Sequence, residues 1–111
     1  MKTSYFAKKP LQENSIAISL WKPHWFMGQH FVGLAPSEKM LIDYKNGKLS
    51  EKDYEEKYMN YIVNKFDPKE LYFWLGEEST LLCWEKSGKF CHRHLLARWL
   101  MKECNVIIEE I

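Results

Sequence analysis

No apolar stretch in this sequence approaches the ~20 residues that a membrane-crossing helix needs, so no membrane partner is expected. Cysteine is scarce and odd in number, three among 111 residues. Three thiols cannot all pair within one chain, and no leader-like segment opens it, so a reducing, cytoplasmic setting is expected. An excess of one charge is also missing. Sixteen Lys and Arg stand against 15 Asp and Glu, for a net charge of +1. That excludes the broad basic footprint of a duplex-binding protein and leaves room only for a local basic patch. Glycine and proline number five and four. They form no linker, no dinucleotide-binding glycine fingerprint and no Gly-Lys-Ser/Thr phosphate loop, so the sequence identifies no cofactor. Internal repeats and low-complexity tracts are absent as well.

What is present is globular. Hydrophobic residues make up 46% and charged residues 28% of the chain, a balance that supports a packed core. A chain of this length buries roughly two thirds of the surface it exposes when unfolded, without help from disulfides or metals. A single domain spanning residues 1–111 is the natural division.

Thr3-Ser4-Tyr5-Phe6-Ala7 reads as a short strand, and Ser15 to Leu20 alternates with the period of a half-buried strand. Residues 21–34 have no clean period and read as a long aromatic loop. Three helices follow. Ser37 caps the first. Ser50 caps the second, whose stripe is Tyr54, Tyr58, Tyr61, Ile62 and Phe66. Asp67-Pro68 opens the third, with Leu71, Trp74 and Leu75 turned inward and Gly76 at its end. Thr80 to Trp84 is apolar on both faces, as a central strand is. Cys91 to Glu103 reads as a helix and Val106-Ile107-Ile108 as a last strand. Strand, helix and strand form a crossover, which makes these two strands parallel. The expected fold is α/β: a small, mostly parallel sheet of about four strands with helices packed against it, three-layered and Rossmann-like.

In open α/β sheets, ligands bind beyond the carboxyl ends of the strands. Here that position holds Glu85-Lys86-Ser87-Gly88-Lys89-Phe90-Cys91-His92-Arg93. The free amides of the following helix point at the same place and suit an anion or a thiolate. Leu95, Leu96, Trp99 and Leu100 define that helix's buried stripe. His92 falls near its middle and Arg93 at its edge, while His94 falls outside it and should be solvated. His92 should therefore face a hollow at the strand ends.

Cys91 is the candidate nucleophile, or else an inert small hydrophobe. His92 is the candidate base, or a satisfied core histidine. Arg93 either grips an anion with its planar fork or forms an ion pair, with Glu85 as the nearest candidate. Lys86 lies at the strand's exit, in the binding region or in a solvated turn. Cys83 should pack within its strand, and Cys104 should be a plain free thiol. The six residues between Cys91 and Arg98 do not match the five of a phosphatase loop. Cys83, Cys91, His92 and His94 match no zinc spacing, and the two histidines diverge on a helix, so no metal ligand set is assigned.

Leu81-Leu82-Cys83-Trp84-Glu85-Lys86 followed by Phe90-Cys91-His92-Arg93-His94 resembles the hallmark of the family called domain of unknown function 488. That hallmark is an apolar strand ending Leu-Leu-Cys-aromatic-Glu-Lys, then Cys-His-Arg opening a helix. Thr3 to Ala7, Ile16 to Ser19, Pro23 to Gly28, Leu34 to Ser37 and the Tyr-rich helix after Ser50 are similar too, so the resemblance covers nearly the whole chain. It implies a compact α/β fold and a prokaryotic or phage setting, and no particular activity. It also implies that Ser4, Tyr5, Ser19 and Trp25 gather near the Cys-His-Arg corner.

Three functions compete on this reading. One is a site for a small anionic or nucleotide-like ligand at the corner, with or without catalysis by Cys91 and His92. Another is a module that binds single-stranded nucleic acid or protein through Lys8, Lys9, Lys22, Lys86, Lys89, Arg93 and Arg98 beside aromatic rings. The last is a scaffold in which the corner merely ties helix to strand.

Overall fold

A computed structural model describes all 111 residues. Five strands form one parallel sheet: β1 (Lys2–Tyr5), β2 (Ser15–Ala17), β3 (Gln29–His30), β4 (Thr80–Cys83) and β5 (Glu109–Glu110), in the spatial order β3-β2-β4-β1-β5. The helices are α1 (Glu38–Lys45), α2 (Glu51–Lys65), α3 (Pro68–Leu75) and α4 (His92–Cys104). A short 3-10 turn at Val32–Leu34 precedes them.

β4 is central because it can be. All four of its residues are buried, and it pairs with β1 on one side and β2 on the other. Its side chains alternate between two apolar layers. Leu81, with Ile16 and Ile18, joins the main core beneath Tyr54, Tyr58 and Ile62 of α2, Leu71 and Leu75 of α3, and Leu95, Leu96 and Leu100 of α4. Leu82, with Ala17, packs with Phe6 and Phe26 in a second, smaller cluster. The helices thus cover one face, and the segments after β1 and β2 form the layer on the other.

The helix boundaries follow from local chemistry. Ser37, Ser50 and Asp67 each accept a hydrogen bond from the backbone amide three residues on, as N-caps do. Pro68 opens α3 and Gly76 ends it at φ +91°. Asn105 closes α4 in the left-handed conformation.

Several expectations need correction. Residues 21–34 are not all loop. Gln29–His30 form a fifth strand at the sheet edge, with the Phe31 amide bonded to the Ala17 carbonyl. Both strand residues are exposed, so no apolar alternation marks them. The last strand lies at Glu109–Glu110 rather than Val106–Ile108. Val106 to Ile108 instead carry the chain from the end of α4 to the free edge of β1, where Lys2 pairs with Glu109. Ile108 is buried on the way and Ile107 is exposed. Trp74 does not turn inward: it is 78% exposed, its ring edge-on to Phe31 at 6.4 Å. Tyr61 is also outside the core and donates to the Gly33 carbonyl at 2.7 Å.

Candidate functional site

Cys91 is the last extended residue before α4, at φ −158° and ψ 146°. Its sulfur therefore sits at the helix's amide end, where partial positive charge accumulates. β4 ends beside it at Cys83. The two sulfurs flank His92, each 3.7 Å from Nδ1. The other ring nitrogen, Nε2, is 2.7 Å from the Ile18 carbonyl at the end of β2. A carbonyl can only accept, so Nε2 carries the hydrogen. In the neutral ring Nδ1 then presents its lone pair to the two thiols. Tyr58 closes one side, its ring at 5.4 Å and 69° to the imidazole.

The two thiols are not equivalent. Cys91 is held well below its ordinary value, first by the Cys83 S–H donating to it, and then, against the cost of burial, by His92 and the Arg93 backbone amide. Cys83 is pushed well above its ordinary value by the same hydrogen bond and by burial. Of the two, Cys91 is the readier to ionise, because only its sulfur sits at the helix terminus.

Arg93 is 0% exposed. Its Nε and Nη2 donate side-on to Glu110 at 3.1 and 2.7 Å. Thr3 and Ser87 hydroxyls also donate to Glu110, each at 2.6 Å. Burial raises Glu110, but the bonds from Arg93, Ser87 and Thr3 outweigh it and bring the carboxyl down to about 2. Arg93 keeps its charge for the same reason. One nitrogen, Nη1, is buried with no partner, an unmet donor that costs free energy as it stands.

The structure brings Cys91, His92 and Arg93 together, but not as an open hollow. Cys91 and His92 are 4% and 3% exposed, and the exposed turn Trp84–Lys89 connects β4 to them. The ion-pair partner is Glu110, not Glu85. Glu85 and Lys86 point into solvent from that turn. His94 is not solvated; it is half-buried, its Nε2 has no partner, and burial followed by the Arg93 charge lowers its pKa. Ser4 and Ser19 are buried near the strand ends, but bonded to the Ile111 and Trp21 carbonyls. Tyr5 is half-buried and pairs with Cys83 across the sheet. Trp25 is on the loop-covered face, edge-on to Phe6 and beneath the Lys9 ammonium at 3.6 Å. It lines a groove of about 820 Å³ at the amino ends of β2 and β4, also bordered by Asn14, Gln29, Trp74 and Ser79. That groove is at the opposite end of the sheet from Cys91.

Sequence reasoning missed Glu110, Ser87 and Thr3. The signal for Glu110 was slight: a carboxylate pair after the last apolar run, which acquires meaning only once β5 is known to lie beside β1. The basic face proposed for nucleic acid also loses members, since Arg93 is internal and Arg98 pairs with Glu55 at 3.4 Å.

A family model described as "Active DUF488-N3 subclade" matches residues 14–104. The chain belongs to this family. Within the DUF488-N3 match lie β2, β3, all four helices, β4 and the Cys83, Cys91, His92 and Arg93 cluster. β1 and β5, which complete the sheet and supply Thr3 and Glu110, lie outside it. No curated protein and no solved structure matches the chain.

Proposed function

We propose that this DUF488-N3 domain takes a small anionic or nucleotide-like ligand at the amide end of α4 and acts on it through the Cys91 thiolate. The carrying observation is the 3.7 Å approach of Cys91 Sγ to His92 Nδ1, the nitrogen that the neutral ring leaves free to accept when Nε2–H is held by the Ile18 carbonyl. The unmet Arg93 Nη1 supports an anion, as do the free amides of the helix. The word "active" in the subclade's description supports chemistry over scaffolding.

In this reading Cys91 gives its proton to His92 Nδ1 and the thiolate attacks the electrophilic atom of the ligand. A bond forms from sulfur to that atom as the bond to the leaving group breaks. The leaving group departs with the electron pair and takes the proton from Nδ1. Cys83 S–H stabilises the thiolate so formed. Entry is through the exposed Glu85–Lys89 turn, between Trp84, whose Nε1 donates to the Trp21 carbonyl, and Phe90, which packs on Tyr44 and Tyr54. That turn has one internal backbone bond, Lys89 to Lys86, and one side-chain tie, Ser87 to Glu110. Opening it breaks few contacts, as ligand-admitting elements require.

Iodoacetamide labelling at neutral pH, followed by peptide mass mapping in the presence of a chelator, tests the nucleophile. Cys91 is expected to label at least about tenfold faster than Cys104, since thiolate fraction governs the rate. Cys104 is the internal comparison, because burial raises its pKa. Equal rates, or faster labelling of Cys104, would remove Cys91 as nucleophile.

A further inference from the structure

Cys83 Sγ, Cys91 Sγ and His92 Nδ1 come from the end of a strand, the cap of a helix and that helix's first turn. All three atoms lie within 4.8 Å of one another. Their spacing in sequence, eight residues and then one, matches no metal motif, and only the strand–turn–helix path brings them together. The geometry points to a preorganised site for a thiophilic divalent cation of the zinc class, with three protein ligands and a fourth position open.

The distances support this directly. Tetrahedral zinc with Zn–S of about 2.3 Å and Zn–N of about 2.0–2.1 Å needs ligand edges of about 3.6 Å from sulfur to nitrogen and about 3.8 Å between sulfurs. Both sulfur-to-nitrogen edges here are 3.7 Å. The histidine is oriented as a ligand must be. Its distal N–H is held by the Ile18 carbonyl at 2.7 Å, the outer bond that fixes tautomer and ring angle at metal-binding histidines. The ligand set also suits the metal, because thiolate and imidazole select soft and borderline cations over magnesium or calcium. Charge balances too: two thiolates neutralise a dication, which makes burial of the whole group far less costly than burial of any one of its charges. Two cysteines, one histidine and an open position is a ligand set used in catalytic zinc sites. His94 is not a ligand; its ring is absent from the cluster.

This inference rests on the same residues as the proposed function but not on the nucleophile reading. A cysteine whose lone pair is committed to a metal is a poor nucleophile, so the cation would hold the same thiol in reserve.

The test is a cobalt(II) titration of the reduced, metal-free full chain, followed by zinc displacement. One equivalent of cobalt is expected to give the strong visible bands of a tetrahedral ion and thiolate-to-cobalt charge transfer in the near ultraviolet, and zinc should erase both. Cys83→Ser, Cys91→Ser and His92→Gln should each weaken zinc binding by more than about tenfold, the lower bound for losing even an outer-shell partner. Cys104→Ser and His94→Gln should bind as the parent does. Circular dichroism separates loss of binding from loss of fold, and if a single variant fails to fold, the parent spectrum and the Cys104→Ser control still decide. A folded parent without cobalt bands, or bands that vanish in Cys104→Ser, would overturn the site. Rapid Cys91 labelling in chelator with no cobalt bands would overturn the metal alone. Cobalt bands with slow labelling would overturn the nucleophile alone.

Discussion

Arg93 and Glu110 show how a single pair can tie a helix to the far edge of a sheet. A guanidinium with no exposure is tolerable only while its carboxylate stays ionised. Glu110→Gln is therefore expected to destabilise the protein by about 2–3 kcal/mol, somewhat below the full cost of breaking a buried pair because Glu110 retains contact with water. Urea denaturation measures it. The pH dependence follows from the sign of the shift. Glu110 titrates at about 2 when folded and near 4.3 when unfolded. As pH falls, the unfolded chain takes the proton first. The stabilisation is complete above about pH 5 and is lost progressively toward about pH 2. The stability gap between parent and variant should close over that range; a gap that stays constant would mean the carboxylate is not the source. His94, lowered by burial and then by Arg93, adds an acid loss that begins higher, as the unfolded imidazole charges near 6.5. At this scale the sequence was informative about helical phase, which placed His92 inward. It was silent about partners. Glu85 and Glu110 are the same residue type, and only the position of β5 decides which reaches Arg93.

Elements were legible where local chemistry sets them. Ser37, Ser50 and Asp67 cap their helices, and Gly76 and Asn105 end theirs. β3 was not legible, because two exposed polar residues carry no pattern; what places it is pairing with Ile16 and Ala17. Gly28 reveals the constraint just before it. A Cβ there would stand 2.7 Å from the Ser15 carbonyl and 2.5 Å from the Phe26 ring. Phe26 can shift, but the carbonyl belongs to the sheet. Gly28→Ala is expected to cost about 1–3 kcal/mol, the range for overpacking a close contact. The loss should appear in thermal melts and in faster hydrogen exchange at the Phe31 amide, which bonds across to Ala17. A variant as stable as the parent would show that β3 and its approach are loosely held. The Glu85–Lys89 turn is the contrasting element, with few bonds and exposed side chains, and it belongs at the low-stability end of the molecule.

Across the whole molecule, the parallel order β3-β2-β4-β1-β5 explains why two thiols and an imidazole collect at one corner. β4 is the middle strand, and the chain leaves it directly for α4, so the thiol ending the strand and the thiol capping the helix meet beside an imidazole. The α/β class and the parallel direction of the last two strands were readable from the order of elements alone; that β1 lies between them was not. The closed state of the corner was not, because burial of Cys83, Cys91 and His92 depends on how β2, β4, α2 and α4 pack together. Nor was the groove at the opposite end, which forms between segments distant in sequence. On the proposed function, a bound anion would occupy the same place as the Cys91 thiolate. Labelling of Cys91 in metal-free protein, repeated across increasing inorganic phosphate and then adenosine monophosphate at constant ionic strength, tests it most directly. At least one of these anions is expected to slow labelling of Cys91 saturably while Cys104 labels at an unchanged rate. Cys91 labelling that ignores both anions, or slows only in step with Cys104, would contradict it.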